Sequence, residues 1–230
     1  MTRWNLAIGR TKALAAALVI VSLGAAVAHA DERLAQKVRM SEEVFLELLE
    51  TPDREVPEEL LERARCVAVL PGVIKGAFGW GGKHGRGVLS CRNGNGSWTA
   101  PIFVRISGGS FGFQIGAQSA DVVLFLMTER SIKSLLKSQF TLGGDVTVAA
   151  GPLGRSAEAA TDARFRAEIY SYAKARGLFA GISVEGARLA PHKKSMVRYY
   201  GAPMRARELL LENKMPDLPD EARSFLEALP

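Results

Sequence analysis

The sequence predicts an α+β fold: a central antiparallel β-sheet of short strands, strongly bent or barrel-like, with helices packed at the N- and C-termini. Three observations predict it. Apolar residues between positions 31 and 50 recur at helical spacing; from Cys66 onward, short runs rich in Val, Ile, Phe and Thr are punctuated by Gly, Asn and Pro; and the chain closes on two further helical stretches, 204–213 and 219–229.

The first thirty residues have the layout of a secretory signal peptide. Arg3, Arg10 and Lys12 form a basic start, Ala13 to Val27 an apolar stretch broken only by Ser22 and Gly24, and Ala28-His29-Ala30 a small-x-small cleavage pattern. The apolar stretch is shorter than the roughly 20 residues of a spanning helix. The expected mature chain is a single domain, residues 31–230, exported to a periplasmic or extracellular space and peripheral to the membrane. The whole sequence carries a formal charge of +6. Three of its basic residues and none of its acidic ones lie in positions 1–30, so the mature chain is only mildly basic. That balance favours an anionic surface as partner and is too weak for a nucleic-acid binder.

In the first helix Leu34, Val38, Phe45, Leu48 and Leu49 share an apolar stripe. Arg33, Lys37 and Arg39 come early and Glu42, Glu43, Glu47 and Glu50 late. An acidic face repels an anionic bilayer, so this helix is expected to pack over the domain. Pro57 opens a second helix, 58–65. The runs 66–70, 85–92, 97–106, 110–118 and 121–127 then read as a meander of antiparallel strands. In 110–118, apolar Phe111, Phe113, Ile115 and Ala117 alternate with small or polar residues, which gives a core face. Glycines 108, 112 and 116 fall on the other side, as at a bend or a close backbone approach. Val122 to Met127 is apolar throughout and predicts a strand covered on both sides. Residues 128–137 read as a helix capped by Thr128 or Ser131, and 163–175 with 178–189 as a second hairpin.

The glycine-rich stretch 79–98 poses a question of function. It lacks the G-x-x-x-x-G-K-[ST] order of a phosphate loop, since His84 follows Lys83, and a strand rather than a helix follows Gly87. Nucleotide binding is not expected. The stretch reads as turns near 82–85 and at Asn93-Gly94-Asn95-Gly96. Lys83, His84 and Arg86 then sit on a tip or rim, as solubilising charges or as head-group contacts. Outside positions 1–30 only two histidines remain, no G-x-S-x-G elbow is present, and Cys66, His84 and Cys91 lack zinc-ligand spacing. No catalytic residues, metal site or cofactor are expected. Asp145 and Asp162 read as turn or cap residues.

The segments 66–78 (CVAVLPGVIKGAF), 85–88 (GRGV), 98–103 (WTAPIF), 109–116 (GSFGFQIG), 149–152 (AAGP), 169–172 (IYSY), 177–181 (GLFAG) and 199–201 (YYG), in this order, resemble the SYLF (Ysc84-like) lipid-binding domain family, in its bacterial secreted branch. The resemblance covers about 41–201, leaving 202–230 as a helical extension. It implies a non-catalytic module that binds anionic phospholipid, with phosphoinositide-type head groups and, for some, actin filaments as ligands of eukaryotic relatives. A binding role of this kind predicts a basic patch, for which the candidates are Lys83, His84, Arg86, His192, Lys193, Lys194 and Arg198. A scaffold acting by protein contacts or self-association is the alternative, and predicts an apolar patch.

Cys66 and Cys91 stand at the start of one predicted strand and near the end of another. An oxidising compartment makes a disulfide between them the favoured outcome, with two separate buried thiols as the alternative.

Overall fold

A computed structural model of the chain describes residues 32–51, 56–78, 80–111, 116–137, 140–153, 166–175 and 177–230. The expected signal segment, together with Asp31 and Asp162, lies outside the described residues. Helix α1 spans residues 32–49, and its apolar stripe is core: Val38, Phe45 and Leu48 are fully buried. Burial of side chains of this size contributes roughly 1.5–3 kcal/mol each. Phe45 meets Phe125 of the sheet at a ring separation of 6.3 Å, and Ser41 Oγ donates to the Lys37 carbonyl at 2.8 Å. The expected packing role of this helix holds. Helix α2, Glu58–Arg63, follows Pro57, with Glu58 and Glu59 in its first turn and Arg63 in its last, charges that match the helix dipole.

Among the described residues eight strands form one mixed, strongly curled sheet. They are β1 Cys66–Phe78, β2 Trp80–Cys91, β3 Ile102–Phe111, β4 Gly116–Leu126, β5 Val148–Ala150, β6 Ile169–Ala175, β7 Leu178–Gly181 and β8 Arg188–Pro191. The order is β5-β6-β4-β1-β2-β3-β8, and β7 also pairs with β6. One edge of β6 takes β4, and the other is shared by β5, parallel beside residues 169–171, and β7, antiparallel beside 172–175. Val122 to Leu126 are all buried, as a strand covered on both sides requires.

Several elements differ from the sequence expectation. The strands are not a simple meander, because β4 returns to pair with β1 rather than β3. Gly82 to Gly85 make no turn; they lie inside β2, whose pairing with β1 extends to Phe78 opposite Trp80. The run 110–118 is divided between the end of β3 and the start of β4, with 112–115 outside the described residues. The run 178–189 is likewise divided: β7 stops at Gly181, and β8 crosses to the other edge of the sheet beside β3.

The second turn is as expected, with the Gly96 N–H donating to Asn93 at 3.1 Å and Gly96 at φ +87. Thr128 caps helix α3, Glu129–Leu135, accepting from the Ser131 N–H at 3.2 Å. Three helices close the chain: α4 Lys193–Tyr200, α5 Ala206–Leu210 and α6 Asp220–Glu227. α4 and the three-residue β5 were not expected; Lys193-Lys194 and the aromatic pair Tyr199-Tyr200 conceal an amphipathic period in eight residues. α6 ties the helical layer together, since Ser224 Oγ donates to Glu42 at 2.6 Å and Tyr199 OH donates to Glu221 at 2.9 Å.

Cys66 and Cys91 are directly opposite each other in the β1–β2 register and form a disulfide. The Arg92 N–H donates to the Arg65 carbonyl at 2.7 Å just beyond them. The cysteines therefore occupy a non-hydrogen-bonded pair, where side chains approach most closely.

Candidate functional site

The site begins with a defect in β1. Its pairing slips by one residue between Val69 and Ile74 against β2 and between Leu70 and Val73 against β4, the signature of a bulge. Pro71 has no N–H to give the ladder, and Gly72 adopts φ +67. The groups freed by the bulge are satisfied from two sides. Lys37 of α1 donates Nζ to the Pro71 carbonyl at 3.2 Å, and Asp121 of β4 accepts the Gly72 N–H at 2.8 Å.

The bulge explains two of the glycines of β2. A Cβ on Gly87 would lie 1.9 Å from the Val69 carbonyl oxygen, and one on Gly85 would lie 2.6 Å from Val73 Cγ2. Both positions exclude a side chain. Arg86 between them points to the other side of the strand and is exposed.

Across the next ladder Arg86 is directly opposite Arg105 of β3, and His84 is opposite Ser107. Beyond β3, Arg105 is opposite Ala190 and Ser107 is opposite exposed Arg188 of β8. Directly paired residues share a sheet face. The chain leaving β8 places His192 at the start of α4, where its N–H donates to Phe103 at 2.7 Å and Nδ1 meets Ser195 Oγ at 2.7 Å. Partial burial holds the His192 imidazole below its ordinary pKa, and Arg86, Arg105, Lys194 and His84 push it in the same direction. Lys37 borders the cluster. Burial lowers its pKa, Asp121 opposes the shift, and Arg86 adds to it.

Ion pairing sorts the cations of the molecule. Arg39, Arg63, Arg65, Arg130, Lys133, Lys174, Arg205, Lys214 and Arg223 all have carboxylate partners. Among the described residues, none of His84, Arg86, Arg105, His192 and Lys194 has a carboxylate within 4.0 Å. Opposed guanidinium groups that no carboxylate of the described residues pairs can receive an anion, because Arg binds phosphate or carboxylate oxygens through a planar fork of donors. The His192–Ser195 contact belongs to the first turn of α4, where the Ser195 N–H also donates to the His192 carbonyl at 3.0 Å.

The seven basic candidates from the sequence therefore separate. His84, Arg86, His192 and Lys194 converge. Arg198 lies one helical turn beyond Lys194 on the same side of α4 and is exposed. Lys83 is on the opposite face of β2, directly across from Lys75, and burial followed by that second ammonium lowers its pKa. Lys193 faces a separate groove with Met196 and Val197. Sequence reasoning missed Arg105 and Lys37. Arg105 had a readable signal, a charge on the alternation between buried Val104 and Ile106, whereas Lys37 is placed only by the bulge. Among the described residues no three His, Cys, Asp or Glu side chains gather as a metal site would need.

A sequence-family model, Ysc84, described as Las17-binding protein actin regulator, matches residues 107–230. The chain is 39% identical over 180 residues to SH3 domain-containing YSC84-like protein 1 of Xenopus laevis, a match covering 77% of this chain and 53% of that protein. It is 38% identical over 160 residues to the Homo sapiens protein of the same name, covering 69% and 46%. To LAS seventeen-binding protein 3 of Saccharomyces cerevisiae (strain ATCC 204508 / S288c) it is 37% identical over 161 residues, covering 69% and 35%. The chain spans about half or less of the length of these relatives.

Proposed function

The chain belongs to the Ysc84 (SYLF) family, and on that footing we propose that it is a non-catalytic domain that docks on anionic phospholipid surfaces. The docking surface is the sheet face carrying His84, Arg86, Arg105, His192 and Lys194, extended by Arg198. One observation carries this reading: Arg86 and Arg105 are held opposite each other with no neutralising acid among the described residues. Each such cation near an anionic bilayer contributes about 1 kcal/mol, an attraction that falls off within a Debye length. In the proposed setting the protein is exported by its first thirty residues and sits at the membrane of an oxidising compartment, which suits the Cys66–Cys91 disulfide. A protein-binding role is the second reading. It is favoured by the name of the yeast relative, LAS seventeen-binding protein 3.

Co-sedimentation with vesicles of phosphatidylcholine, with and without phosphatidylglycerol, tests the lipid reading. Binding should require the anionic lipid, weaken as salt is raised, and be lost in Arg86→Glu. Equal sedimentation with both vesicle types would reject it.

A further inference from the structure

The membrane-facing cluster leaves a second feature unused. Between β8, the start of α4 and the segment 203–208 runs an open groove of about 910 Å³. Its apolar surface comes from half-buried Leu136 and Met204 and from Val197, which is 42% exposed on a helix anchored by fully buried Met196. Its rim carries five cations, Arg105, Lys137, Lys193, Arg205 and Arg207, against one acid, Glu208. That acid is already engaged: it accepts the Arg205 backbone N–H at 3.4 Å and lies 3.7 Å from Lys214 Nζ. Arg205 shares the same carboxylate at 4.0 Å. Among the described residues Arg105, Lys137, Lys193 and Arg207 have no carboxylate within 4.0 Å.

Shape and charge select the occupant. A groove is concave, so a planar bilayer cannot lie along its floor. The unpaired cations come from four separate parts of the fold, β3, the residues just after α3, α4 and α5, an arrangement that suits a chain with repeated carboxylates, which can meet all of them. Met204 and the exposed Val197 form an adaptable apolar floor of the kind that accepts side chains from a partner helix. We propose that this groove docks an acidic peptide segment with interspersed apolar residues, supplied by a protein partner. The site stands independently of the lipid-docking face and shares with it only Arg105.

The test is fluorescence anisotropy with the full chain and labelled designed peptides of about 18 residues, five helical turns. One peptide has Leu at every third or fourth position and Glu elsewhere. In a second peptide Gln replaces Glu, and in a third Ser replaces Leu. The Glu/Leu peptide should bind at least about tenfold more tightly than either control at roughly 0.15 M salt. The double variant Lys137→Glu, Arg207→Glu should weaken it about tenfold or more, and so should Val197→Asp, while Lys83→Glu should leave it within about twofold. Retained co-sedimentation with anionic vesicles shows that the groove variants remain folded and keeps this test separate from the lipid reading. The proposal is overturned if the Glu/Leu peptide binds no better than the Gln/Leu peptide or if Lys83→Glu weakens it as much as the groove variants. It is also overturned if soluble short-chain phosphatidylglycerol displaces the peptide at equal concentration.

Discussion

Arg86 of β2 and Arg105 of β3 face each other directly across an antiparallel ladder, both exposed. No carboxylate of the described residues neutralises either one. Like charges in this register destabilise a sheet. Glycines 85 and 87 fit β2 against the β1 bulge with Arg86 on the other side of the strand, and an anion bound between the two guanidiniums would turn the repulsion into attraction.

Replacing Arg105 with Gln should therefore stabilise the free protein and weaken its docking. The expected gain is about 0.2–1 kcal/mol, the size of a cross-strand pair term, read from urea unfolding. The same variant should sediment less with phosphatidylglycerol vesicles. A loss of stability would show that the opposed guanidiniums are already compensated.

Acidification should strengthen docking through His192. Its imidazole is held below the ordinary value of about 6.5 by burial and by Arg86, Arg105, Lys194 and His84. The folded chain thus binds fewer protons than the unfolded one. Its contribution to stability is present above about pH 6.5 and is lost as pH falls through that value toward the lowered pKa. A bound anion favours the imidazolium, so vesicle affinity should rise as pH falls from about 7.5 to 5.5, and His192→Asn should flatten the rise. Parallel curves for wild type and variant would exclude His192 from the site.

The bulge makes Gly87 and Asp121 sensitive positions. Gly87→Ala drives a methyl group into the Val69 carbonyl and should cost about 1–3 kcal/mol, as overpacking does. Asp121→Ala leaves the Gly72 N–H without its acceptor and should cost about 1–3 kcal/mol. Denaturant midpoints measure both. Asp121→Asn, which keeps an acceptor oxygen, should recover most of the second loss.

The Cys66–Cys91 bond should stabilise the fold by about 3 kcal/mol in the chain-entropy account, given its sequence separation of 25. Thiol titration of denatured, non-reduced protein should find no free thiol, and two after reduction. The double variant Cys66→Ala, Cys91→Ala should lower the urea midpoint accordingly. An unchanged midpoint would mean that the 66–91 loop is already restrained in the unfolded chain.

Local pattern was enough for much of this protein. The stripe of Val38, Phe45 and Leu48 specified a helix and its buried side, the unbroken apolar run 122–127 specified a covered strand, which ends at Leu126, and Asn93 to Gly96 specified a turn, because side-chain period and backbone preference are properties of neighbouring residues. The pairing of strands was not legible in the same way. That β4 returns to β1, and that β8 crosses to β3 while β7 stays on β6, is decided by which edges remain open once the sheet curls. Gly85 looked like part of a turn near 82–85 because a missing side chain has the same signature whether it allows a bend or a close approach; only its contact with β1 at the bulge of Pro71-Gly72 distinguishes the two. The basic residues were visible as a composition, but their grouping was not. Register set Arg86 against Arg105, and strand alternation sent Lys83 to the opposite face from Arg86. A charge's chemistry is local, whereas its partners are fixed by long-range pairing.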